Sequence, residues 1–377
     1  MAWNGRYFFD LVKTAFGGDA KKLQSFVDAG ETIYNKMDLS GFPFASQMQI
    51  DPTFEQVSMN YGIQAMATWV DYDSPGTPVT QEAPVLQTGN LPRNKKYAAF
   101  TEMDFRRMSR SYVNDLEKFS QQTLLDIHER LINAHNNANT YMRHQMVSNG
   151  KFELTESNNA SGIKGVVFSA SIPDANKITK TSTAVWWASN GTEGTASDPV
   201  KDLQALAEKA KGTNFHFEVD ALTLKKTLNH SKVIRAVGFN ANPMVTDNDV
   251  ADAIGGNLGL DERKRRLESL IGFPIVEVES VSRIDKFNKK TNKVEGEDIR
   301  SFNEKSWALI PNGKIGETLV LAPLMIGDER NFATYHGGRL LLTYEYLSRK
   351  KEQIIETEMT ALPVPTKPEL MYILNIG

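Results

Sequence analysis

Between residues 111 and 148 the chain runs without a proline or glycine, and its less polar positions step by three or four. They are Tyr112, Leu116, Phe119, Thr123, Ile127, Leu131, Ala134, Ala138 and Met142. That period predicts one α-helix of roughly 55 Å, with Asn149-Gly150 as its stop. Helices in globular domains are usually much shorter. The small residues Thr123, Ala134 and Ala138 leave too thin a seam for a coiled coil, so the helix is expected to lie across a β-sheet. Any fold for this chain has to be arranged around that rod.

The other elements must fit within 377 residues, enough for two packed cores or one elaborated core. Hydrophobic residues make up 40% and charged residues 24%, which suits a globular chain. The longest apolar run, residues 319–326, is broken by Pro323 and far too short to span a membrane. With 43 Lys and Arg against 46 Asp and Glu, the net charge of -3 argues against a dedicated nucleic-acid binder. Cysteine is absent, so disulfides, thiolate metal sites and cysteine nucleophiles are excluded. The first residues carry Asp10 inside their apolar stretch and lack a cleavage site, so no secretory leader is expected. Trp3, Tyr7, Phe8, Leu11 and Ala15 recur instead at helical spacing before Gly17-Gly18. The amphipathic helix they predict must dock on its own domain or on a neighbouring chain.

Alternating stretches at residues 55–59 and 65–70 suggest strands. They precede a segment over residues 71–96 that contains Pro75, Pro78, Pro84 and Pro92 and few large apolar residues. Such a segment cannot make its own core, and long structureless loops are rare in compact domains. A long exposed hairpin that lies on something outside its own domain is the expected form. After Gly150 come short strands near residues 151–155 and 165–169, then a polar loop ending at Pro199. Asp198 and Pro199 predict a capped helix. A strand over 215–219, helices over 221–229 and 263–270, and a strand over 274–281 follow as a second, α/β core. Residues 339–376 are β-rich.

Few residues nominate chemistry. His216, Glu218 and Asp220 share one face of a strand and are legitimate metal ligands, but they fan out along about 13 Å. A solvated strand face is expected. His128, His135 and His144 lack the i, i+4 spacing of a helical zinc pair and read as surface or interface residues. The glycines at 255, 256 and 259, and those at 313 and 316, lack phosphate-loop spacing and read as turns. The basic run from Arg263 to Arg266 sits among acidic residues, as on a solvated or salt-bridged face. There is no Gly-x-Ser-x-Gly elbow. No catalytic, cofactor or metal residue is therefore assigned; a metal-dependent cytoplasmic α+β enzyme built around His216 is the alternative from another class.

The C-terminal half carries a more specific signal. Ile271-Gly272-Phe273-Pro274-Ile275-Val276 leads through Asp285-Lys286 to Trp307-Ala308-Leu309-Ile310-Pro311-Asn312-Gly313-Lys314-Ile315-Gly316. The chain closes with Glu356-Thr357-Glu358-Met359-Thr360-Ala361-Leu362-Pro363-Val364-Pro365. This succession, with Val185-Trp186-Trp187 upstream, resembles the lambda-like major capsid proteins of tailed bacteriophages, which share the Hong Kong 97-type capsid fold.

The resemblance implies an α+β fold with an N-terminal arm (1–43), an E-loop region (44–100) and a P-domain with its spine helix (101–194). An α/β A-domain (195–330) and a C-terminal β section returning to the P-domain (331–377) complete it. It implies a non-enzymatic subunit that assembles with itself into hexamers and pentamers of an icosahedral head around double-stranded DNA, in the virion after assembly in the host cytoplasm. Scaffolding, portal and decoration proteins are the implied partners, with no cofactor and no membrane. An encapsulin-like compartment shell is the alternative within the fold. The arm begins almost at Met1, so no proteolytic trimming is expected. Lys95 and Lys96 are the only lysines near the loop base and no catalytic Glu is evident beside them, so no covalent cross-linking is expected. The assembly contacts are assigned to Pro75, Gly76 and Pro78 at the loop tip, and to Arg106, Arg107 and Arg110 before the helix.

Overall fold

In the computed structural model the described residues are 39–58, 85–101, 103–104, 116–159, 164–188, 191–210, 214–279, 281–288, 293–324, 332–347 and 352–377. The strands early in the chain are β1 (Thr53–Ser58), β2 (Val85–Asn90) and β3 (Arg93–Phe100). The long helix α1 (Leu116–Asn149) follows, then β4 (Lys151–Glu153), β5 (Val167–Ser169) and β6 (Lys177–Thr179). Next are α2 (Pro199–Lys209), β7 (Phe215–Asp220), α3 (Ala221–Leu228), α4 (Ser231–Ala241), α5 (Asn248–Asn257) and α6 (Leu260–Ile271). The chain continues through β8 (Ile275–Val278), β9 (Val281–Asn288), β10 (Lys293–Arg300), β11 (Ser306–Pro311) and β12 (Gly316–Val320). It ends with β13 (Phe332–Tyr335), β14 (Leu340–Leu347), β15 (Glu352–Pro365) and β16 (Tyr372–Asn375).

Helix α1 has 34 residues, about 51 Å at the standard rise. Gly150 ends it at φ +68°, a conformation that glycine adopts without strain. The C-terminal half of α1 packs on a five-stranded sheet ordered β6-β16-β11-β7-β8. Met142, Met146 and Val147 meet Ala308, Ile310 and Ile373 there. The opposite face of the same sheet buries Phe217, Val219, Trp307, Leu309 and Leu374 beneath the helices α2–α6. Burial on both faces explains why β11 is an unbroken apolar run rather than an alternating one.

The second sheet pairs β12 and β14 with β15, and β13 with β14. Strand β3 runs antiparallel to β15 from Arg93 opposite Thr360 to Phe100 opposite Gln353. Leu131 and Ile132 of α1 pack on its apolar face with Tyr335, Leu342 and Ile355. Residues 39–50 also join this body: Ala45 N–H donates to Thr318 and Gln49 N–H to Val320, and Phe42 is fully buried. The end of the expected arm is thus docked on its own chain.

Two expectations are corrected, and the closing β section shows a division. Gly255 and Gly256 lie in the last turns of α5, not in a turn. A Cβ at Gly255 would come 2.0 Å from the Ile234 carbonyl oxygen, and one at Gly238 would come 1.9 Å from that of Ala251. These glycines let α4 and α5 touch backbone to backbone. The strand expected over 274–281 ends at Val278, and β9 opens a separate ribbon at Val281. The closing β section is divided: β13–β15 lie under α1, whereas β16 sits between β11 and β6 in the five-stranded sheet.

Candidate assembly elements

Two features set what this subunit can do: a polar, hydrogen-bonded seat for α1 and ribbons that form sheets of their own. In the seat, His128 Nε2 is 2.9 Å from Tyr344 OH and His135 Nε2 is 2.9 Å from Thr357 Oγ1. Asn139 Nδ2 donates to Met359 Sδ, and His336 Nε2 meets Asn136 Oδ1 at 3.0 Å. His144 bonds Ser301 farther along the helix. Burial pushes the imidazoles of His128 and His135 down to about 4, so both are neutral near pH 7. The expectation of surface histidines is corrected: all three are buried. Their partners, Tyr344 on β14, Thr357 on β15 and Ser301 just after β10, lie far along the chain, which spacing within the helix cannot reveal.

The joint between α1 and the five-stranded sheet is ionic. Arg143 is fully buried and its guanidinium clasps both carboxylate oxygens of Glu218 on β7. Its Nε donates to the Ser40 carbonyl at 3.1 Å. His216 bridges Glu218 and Asn312, with Nδ1 2.6 Å from Asn312 Oδ1. Burial raises the Glu218 carboxyl, but Arg143 and His216 outweigh it and leave Glu218 below the ordinary carboxylate range. Asp220, at the end of β7, accepts from the N–H groups of Leu222 and Thr223 and so caps α3. The solvated face expected for His216, Glu218 and Asp220 is corrected: Glu218 and Asp220 are buried and His216 is partly buried. No group of three His, Cys, Asp or Glu able to hold a metal occurs among the described residues.

Two antiparallel ribbons, β1–β2 and β9–β10, form separate two-stranded sheets that join no larger sheet among the described residues. Two-stranded ribbons gain little from their own pairing, and their edges offer backbone groups to another chain. At the base of the first, β3 is tied to β15 by cross-strand charge: Arg93 pairs with Glu358, and Lys95 with Glu356 and Glu358. The fold thus places two glutamates beside Lys95, which sequence spacing did not show. Their hydrogen bonds hold the Lys95 ammonium above its usual range.

The remaining site expectations divide sharply. Pro75, Gly76, Pro78, Arg106, Arg107 and Arg110 all lie outside the described residues, as does most of the expected arm. In the basic run, Arg265 and Arg266 pair with Glu262, in keeping with a salt-bridged face. Arg263 departs from it. Its buried guanidinium donates to the carbonyls of Gly255, Gly256 and Leu228.

Comparison with known proteins adds a separate line. Residues 21–376 match the family model described as phage major capsid protein E. No curated protein matches the chain. Among solved structures, a prophage protein of Escherichia coli CFT073 assigned as a capsid protein is 14% identical, covering 95% of this chain and 99% of its own, with a TM-score of 0.51. A phage-related protein from Bordetella bronchiseptica RB50 is 13% identical over 93% and 96% of the two chains, with a TM-score of 0.47. The mature capsid of bacteriophage PhiM1 gives 10%, 91%, 87% and 0.44 for the same measures. At such identities the likeness to the Escherichia coli protein is one of fold.

Proposed function

The chain belongs to the phage major capsid protein E family, and from that membership we propose that its work is self-association into the hexamers and pentamers of an icosahedral head enclosing double-stranded DNA. The family match over residues 21–376 carries the reading. Two structural features support it. The ribbons β1–β2 and β9–β10 have no larger sheet to join on the described body, which suits strands that find partners on sister copies. The net charge of -3 suits a shell that encloses DNA without adhering to it.

In this reading residues 1–43 act as arm and 44–100 as E-loop, while 101–194 and 331–377 form the P-domain around α1. Residues 195–330 supply the A-domain, with β16 contributing to its sheet. Pro75, Gly76 and Pro78 contact a neighbour at the loop tip, and Arg106, Arg107 and Arg110 form ion pairs to it. Scaffolding, portal and decoration proteins are the further partners, and assembly takes place in the host cytoplasm. The test is electron microscopy of purified, concentrated protein, alone and with its scaffold. Curved sheets or closed shells with five- and sixfold units are expected. A discrete small oligomer under both conditions would contradict the proposal, and a shell that closes alone around a protein cargo would favour a compartment.

A further inference from the structure

Helices α3, α4 and α5 carry their charge and their exposed apolar groups at two separate ends. Residues 221–246 contain Lys225, Lys226, Lys232 and Arg235 and no acid. Residues 247–259 contain Asp247, Asp249 and Asp252 and no base. The contacts of Gly238 with Ala251 and of Gly255 with Ile234 make α4 and α5 antiparallel. Asp249 therefore lies at the end of the helix pair where α4 stops, and the C-terminus of α3 lies where α4 begins. Eleven residues of α4 separate the two ends by about 16 Å.

Each end pairs charge with apolar surface. On α3, Leu222, Lys225 and Lys226 fall at i, i+3 and i+4, so they share one face. Leu222 is 43% exposed, and neither lysine has an ion-pair partner among the described residues. At the other end, Met244 is 89% exposed and Val250 47%, beside Asp249, whose charge is felt by Arg235 but which makes no ion pair within 4 Å among the described residues. The nearby acids of the α3 end are already engaged: Glu193 accepts from Ser231, and Asp198 caps α2 and faces Lys232. Asp252 is held by Arg235.

We propose that these two ends are halves of one contact between copies of this chain. The tip of Met244, Asp249 and Val250 on one copy docks on the Leu222, Lys225 and Lys226 face of the next. In the shell reading this contact is made head-to-tail. A head-to-tail contact repeated by rotation closes a ring, whereas a twofold contact would use both pairings at once and stop at a dimer. Like-charged ends would then repel, which fixes the direction of the ring. The inference rests on the shell reading and names a contact within it.

Charge swapping tests it. Three full-length variants are compared with the wild type by sedimentation and electron microscopy, with circular dichroism melting to confirm folding. They are Lys225→Glu with Lys226→Glu, Thr246→Lys with Asp249→Lys, and all four changes together. Each double variant is expected to raise the concentration needed for assembly by about tenfold or more, and the quadruple variant to return it to within about threefold of wild type. Wild-type assembly with unaffected double variants would overturn the contact alone, as would a folded quadruple variant that fails to recover. A wild type that never assembles, alone or with its scaffold, would overturn the shell reading beneath it.

Discussion

The core beneath α2–α6 and the seat of α1 on the other sheet are both buried, but the seat mixes apolar packing with more buried polar contacts. Beneath α2–α6 the contacts are aromatic: Trp307 meets Trp186 at 6.1 Å and Phe217 at 5.9 Å between ring centroids. Under α1 the apolar contacts of Leu131 and Ile132 are joined by buried polar ones, His128 on Tyr344, His135 on Thr357 and Asn139 on Met359. There the Nδ1 of His135 and the Oδ1 of Asn139 are buried with no hydrogen-bond partner among the described residues. Apolar burial stabilises at any pH, whereas a polar seat holds only while its groups keep the right protonation state. The first region is a fixed block; the second is a conditional joint.

The sharpest break should come where the two regions meet. Arg143→Met leaves the Glu218 carboxylate buried without its cation, and urea unfolding should show a loss of about 3–5 kcal/mol. Pairing it with Glu218→Leu should recover most of that loss, because the stranded charge is gone. In the fixed block, Gly238→Ala or Gly255→Ala forces α4 and α5 apart and should cost about 3 kcal/mol. The same substitution at Gly272, whose Cβ would meet nothing within 4 Å, should cost less despite its φ of +80°.

The conditional joint should reveal itself through pH. His128 and His135 are neutral in the folded state down to about 4, whereas an unfolded histidine takes up its proton near 6.5. Their contribution is therefore complete above about pH 6.5, is lost as pH falls toward 4, and changes little below that. Each histidine should lose about 2 kcal/mol by pH 5. His128→Gln with His135→Gln should flatten the stability profile in that window. The smallest effect is expected at Lys95→Ala, because the Lys95 pair with Glu356 is exposed by a third or more at both ends. Less than about 1 kcal/mol should be lost there.

Local rules made much of this legible. The unbroken period before Gly150 gave α1, and Asp198 before Pro199 gave the start of α2, because each signal is complete within a few residues. The errors share another cause. His128 and His135 look like surface residues until Tyr344 and Thr357, more than two hundred positions later, arrive beside them. Glu218 reads as a solvated strand residue until Arg143 reaches it. Gly255-Gly256 looks like a turn because the backbone that needs the missing Cβ belongs to another helix. Pairings across the chain decide those residues, and spacing does not carry them.

The account rests on the ribbons being incomplete without sister copies, and hydrogen exchange tests this most directly. Amides of β1–β2 and β9–β10 should exchange fast in the unassembled subunit and become protected in assembled particles, while those of β7 and β11 stay slow in both. Ribbon amides equally protected in the lone subunit would contradict it.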